Sequence, residues 1–141
     1  MPKSARLLAP LVLALGLSTA HGQPMTLGEV EAGGAKALSA SEVKDLVSGA
    51  KTEFTLVNGS TRIWTNASDG TFVASRTTTR KSSARGTWSV DADGAYCLTF
   101  DWGQLETEAW CRRLFHVQDR YYAFAVDSKA DTRSGSYRFS R

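Results

Sequence analysis

The sequence predicts a mainly β protein, a small antiparallel barrel or sandwich of about eight strands behind one N-terminal α-helix. Three observations carry that expectation. From Thr52 onward apolar and polar residues alternate with period two, the signature of half-buried strands. Asn-Gly, Asp-Gly and Ser-Gly pairs interrupt the alternation at hairpin spacing. Just ahead of it stands a short, capped helical stripe that begins at Ser39 and stops at Gly49.

The first residues read as a secretory signal peptide over 1–22. Lys3 and Arg6 supply the positive start, Leu7 to Leu17 the apolar run, and Ser18-Thr19-Ala20-His21-Gly22 the small-residue exit. Cleavage is expected after Gly22, with Ala20 as the alternative. The apolar run falls short of the roughly 20 residues that cross a bilayer, and no later run approaches that length. No Cys stands near the cleavage point to take a lipid. The expected product is therefore soluble, without a membrane span, and periplasmic or secreted. Of the 17 Lys and Arg, two leave with the signal, so 15 bases face 14 acids. A near-neutral surface with interspersed charges has no built-in attraction for nucleic acid. The basic run from Arg76 to Arg85 mixes its charges with Ser and Thr and reads as a solvated hairpin tip.

Residues 23–38, rich in Gly and Ala without a clear period, read as a flexible leader. The remaining 39–141 form one β domain with its helix. Ser39 and Glu42 make a capping box, and Leu38 with Val43 a hydrophobic staple. Val43, Leu46 and Val47 then share one apolar face, and Gly49 supplies a left-handed stop. A helix this short is not stable alone and must dock. The expected strands are 52–57, 61–66, 71–77, 85–91, 95–102, 108–117, 121–127 and 135–140. The triplets at Asn58 and Asn66 fit the glycosylation pattern but read as turns.

Cys97 and Cys111 are the two cysteines, and in an oxidising compartment they pair most simply with each other. Closing a loop of that size stabilises by roughly 3 kcal/mol in the chain-entropy model. If 95–102 and 108–117 form a hairpin about Gln104, the two cysteines lie directly opposite, as a cross-strand disulfide needs. Tyr96, Leu98, Phe100 and Trp102 then share the other face with Trp110, Arg112, Leu114 and His116. The first strand makes that face the core, yet the second puts Arg112 and His116 on it and leaves Phe115 and Val117 outside. Either a β-bulge between Cys111 and Phe115 repairs the pattern, or Arg112 lies in a barrel interior beside Trp88, Tyr96 and Trp110. In the second case a guanidinium held among aromatic rings binds the carboxylate or phosphate of a small ligand.

Catalytic constellations are absent. His116 is the one histidine left after cleavage, and no Ser stands in a G-x-S-x-G turn. Two thiols and one His fall short of a zinc site, so neither a metal nor a cofactor is expected. Asp101, Glu106 and Glu108 flank a predicted hairpin tip, where exposed acids are ordinary. A hydrolase built on them is the weakest of the readings.

Gly33-Gly34-Ala35-Lys36-Ala37-Leu38 ahead of the capped helix, then Gly86-Thr87-Trp88-Ser89-Val90, Asp93-Gly94, Tyr96-Cys97, Trp110-Cys111 and Tyr121-Tyr122, occur here in an order with a known counterpart. This order resembles a family of small exported proteobacterial proteins known as a domain of unknown function (nine-nine-five). The resemblance implies export and a shared fold, and it brings no activity and no catalytic residue. Gly86-Thr87-Trp88 is also similar to the G-x-W of lipocalins, as an analogy of architecture alone. The expected function is a non-enzymatic binding module of the bacterial envelope, with a small ligand in or at the mouth of the barrel. Trp88, Tyr96, Trp110 and Arg112 are its candidate ligand residues. The alternative is an inhibitor or assembly factor that meets an envelope protein through the Trp102–Trp110 hairpin.

Overall fold

The computed structural model describes residues 22–77, 82–104 and 106–141. The segment expected as a signal peptide, apart from Gly22, and the centre of the basic run at 78–81 lie outside the described residues.

Eight antiparallel strands close into a barrel. In chain order they are β2 (Lys51–Thr55), β3 (Thr61–Thr65), β4 (Thr71–Thr77), β5 (Ser82–Val90), β6 (Tyr96–Asp101), β7 (Thr107–Val117), β8 (Arg120–Phe124) and β10 (Ser136–Ser140). Each pairs with the next, and β10 returns to sit between β8 and β2, which removes the sheet edges. Of the two architectures the sequence allows, the molecule is thus the barrel. Inward positions carry Phe54, Trp64, Phe72, Leu98, Phe100, Leu114 and Tyr137, all nearly inaccessible. Their rings fill the centre: Trp64, Phe72 and Phe100 lie 5.0–5.5 Å apart, and Phe54 stacks on Tyr137 at 4.1 Å. Gly86 makes room for this packing, because a Cβ there would stand 2.2 Å from the Phe72 ring and 2.6 Å from the Thr99 carbonyl.

The helix α2 (Ala40–Val47) closes one end of the barrel. Its capping box is formed as expected: the Ser39 amide donates to Glu42 Oε2 at 2.7 Å and the Glu42 amide to Ser39 Oγ at 3.2 Å. Val43 and Val47 are wholly buried, and Gly49 follows at φ +69°. Beneath the helix sits Asn66, expected as a turn residue but fully buried. Its Oδ1 accepts from Trp64 Nε1 (3.0 Å) and the Tyr96 hydroxyl (2.8 Å), and its Nδ2 donates to the Val47 carbonyl (2.9 Å) and Thr52 Oγ1 (3.2 Å). Every donor and acceptor of the amide is used, which is what makes its burial tolerable.

Two expectations are corrected on the outer face. The supposed flexible leader is ordered: β1 (Met25–Thr26) pairs with β9 (Arg133–Ser134), and a second helix, α1 (Leu27–Ala32), follows. It has its own capping box, Thr26 with Glu29. Val30 packs there with Phe115, Tyr122 and Phe124 into a small second core outside the barrel wall. This layer also explains β7. The pairing of β7 with β6 and with β8 runs in constant register, Cys97 opposite Cys111 and Leu114 opposite Ala123, with no bulge between Cys111 and Phe115. Phe115 faces outward because α1 covers it, so both faces of the strand are buried and the alternation is lost. Cys97 and Cys111 are joined across a 4.0 Å Cα–Cα separation on the outer face.

Candidate functional site

The barrel end away from α2 is an open mouth, rimmed by the β2–β3 turn, the β6–β7 hairpin and the segment around Gly135. Period-two placement brings Arg62 on β3, Arg76 on β4 and Glu108, Trp110 and Arg112 on β7 to the inner face there, with Trp102 just past β6. Arg62 is buried, and it is matched: Nη1 and Nη2 donate to the two oxygens of Glu108 at 2.9 and 3.0 Å. Arg76 makes the same fork with Glu106 at 2.8 and 3.3 Å. That contact holds the Glu106 carboxyl below its ordinary pKa and raises that of Arg76. Arg76 therefore turns into the mouth, where the sequence placed it on a solvated tip.

Aromatic rings back these cations. The Arg76 guanidinium lies 4.3 Å from the Trp102 ring, Arg62 lies 5.1 Å from Trp102 and 6.0 Å from Trp110, and Arg112 lies 4.8 Å from Trp110. Arg112, half-buried, has no carboxylate partner among the described residues. Beside it opens a cleft of about 430 Å³ with an apolar wall of Phe54, Leu56, Val57, Trp110 and Gly135; Arg62 with its partner Glu108, Arg133, Asn58 and Ser134 complete the lining. Tyr137 is buried next to Arg112 and Trp110: burial pushes its hydroxyl up to about 12, against the pull of the Arg112 charge and of hydrogen bonding to Trp110 and Arg112.

Of the four residues the sequence proposed for one site, Trp110 and Arg112 line the mouth cleft, and Tyr96 is the cross-strand partner of Arg112 but gives its hydroxyl to Asn66. Tyr96 is buried at the helix end, where loss of hydration raises its pKa and it serves Asn66 and Trp64. Trp88 also lies toward that end, its Nε1 donating to the Ala67 carbonyl at 2.8 Å. Arg62 and Glu108 are the partners that sequence reasoning missed as a pair. Each of the three hairpin acids serves the local structure. Glu106 and Glu108 bind arginines, and Asp101 accepts from the Gly103 amide at 2.9 Å.

Two other clefts are less furnished. One of about 530 Å³ lies between α2 and the strand ends, where His116 stacks on Tyr121 at 4.5 Å; its Glu42 is engaged in capping the helix. Another, of about 620 Å³, runs along the outer wall over Gly86. Asp91 approaches both cysteine sulfurs, but these are bonded to each other and offer no thiolate to a metal.

Residues 11–121 match the family model described as Protein of unknown function (DUF995). The chain belongs to this family. No curated protein and no solved structure matches it. In this DUF995 protein the motif residues have identifiable structural roles. Gly86 clears the Phe72 ring, Trp88 pins the β3–β4 turn, Tyr96 completes the Asn66 network, and the cysteines staple β6 to β7. Trp110 is the member of the motif that faces the mouth cleft.

Proposed function

We propose that this chain is an exported, non-enzymatic binding module that takes a small ligand at the mouth of its barrel. One observation carries the reading: Arg112, backed by Trp110 and without a carboxylate partner among the described residues, faces a cleft with apolar walls. A few placed polar groups in an apolar concavity are the usual make-up of a small-molecule site. The ligand sits at the mouth because the barrel centre is filled by aromatic side chains. The disulfide supports export, since such bonds persist in oxidising compartments. Among the described residues no helix is long and apolar enough to cross a membrane. The alternative of a protein partner at the Trp102–Trp110 hairpin has weaker support, because both rings are half-buried against Phe100 and the arginines.

Native mass spectrometry of the protein purified from its own envelope fraction tests the reading. The expected result is a mass above that of the bare chain, lost on gentle activation and absent in Arg112→Met. A bare-chain mass together with a stoichiometric co-purifying protein would overturn it.

A further inference from the structure

We infer that the mouth ligand is a small carboxylate with a flat or apolar body, and that Arg112 holds its carboxyl group. This rests on the mouth being the binding site. Three arginines form an internal series. Arg76, Arg62 and Arg112 each lie against an indole, Trp102 for the first two and Trp110 for the third. Two of the three are completed by a carboxylate from the chain itself, and each time two guanidinium nitrogens meet the two carboxylate oxygens. The third has the same aromatic backing and no carboxylate among the described residues.

Chemistry favours a carboxylate as the missing member. A guanidinium with one face against an indole is partly stripped of water and keeps donors at its edge, and Arg112 has donors left beyond its contact with the Tyr137 hydroxyl. A guanidinium edge matches a carboxylate in two parallel hydrogen bonds. Arg62 is already neutralised by Glu108, so Arg112 and Arg133 give the cleft an excess of positive charge. Phosphate shares part of this chemistry, but the cleft that Arg112 lines includes Phe54, Leu56, Val57 and Trp110, which offer an apolar wall to a ligand with a mostly apolar body. The ligand's body lies along those walls while its carboxylate reaches Arg112.

Titrating the full mature chain with 2-naphthoate, followed by tryptophan fluorescence, tests this against 2-naphthamide, which has the same rings without the charge. Saturable naphthoate binding at least tenfold tighter than naphthamide is the expected result. In Arg112→Met that preference should vanish while naphthamide affinity stays, which also shows that the cleft is intact; Arg112→Lys should recover part of the preference. Equal affinities in the wild type would overturn the carboxylate assignment and leave the mouth site standing. Inorganic phosphate displacing naphthoate at comparable concentration would replace the carboxylate by a phosphate. No binding of either probe, with a bare-chain mass from the envelope, would remove the mouth site itself.

Discussion

Arg62 and Glu108 show how a barrel mouth tolerates a buried charge. The Arg62 side chain is 10% exposed and Glu108 31%. Removing one member strands the other in poor solvent, whereas removing both leaves apolar neighbours to close over the gap. Glu108→Gln should therefore lower unfolding stability by about 1–3 kcal/mol, measured by urea denaturation. The double change Arg62→Met with Glu108→Gln should regain most of that loss; a double variant as unstable as the single one would refute the account. The pair was not visible in the sequence, because its members stand 46 positions apart and nothing local links them. Asn66 was hidden for a related reason. An Asn-Ala-Ser triplet after a strand resembles a turn, and only the fold reveals four partners waiting around the amide.

Strands were easier to read than the helices and the outer layer. Alternation after residue 51 and the turn signals located all eight barrel strands, and a hairpin about Gln104 gave the β6–β7 register in which the two cysteines face each other. The conflict on β7 came from treating one face as solvent, when α1 buries Phe115 there. Thr26-Leu27-Gly28-Glu29 carries the same capping signature as Ser39 to Glu42, so α1 had a local signal beneath its Gly-rich surroundings. At this scale Gly86 gives the sharpest test. Its β5 position lies against the Phe72 ring on one side and the Thr99 carbonyl on the other. Gly86→Ala should cost about 1–3 kcal/mol through overpacking, read as a lower thermal midpoint. The companion Gly86→Ala with Phe72→Leu should recover part of it, because the shorter side chain vacates the space.

The whole molecule is set against alkali by its buried phenols. Tyr137 is held up to about 12 by burial, and Tyr96 is raised further still, while the unfolded chain releases the same protons near 10.0. Their contribution to stability is thus complete below pH 10 and is lost as pH rises toward the folded values. Stability should fall by about 1.4 kcal/mol per pH unit for each tyrosine across that window. Denaturation midpoints at a series of alkaline pH values check this, and Tyr137→Phe should flatten the slope. A midpoint unchanged above pH 10 would contradict the burial of both hydroxyls. The same closed ring has a further consequence. Ser136–Ser140 must slot between β8 and β2, whose own Lys51–Thr55 emerges some eighty residues earlier. Without it, β8 and β2 would each keep an unpaired margin, the kind of margin on which a sister chain can add a strand.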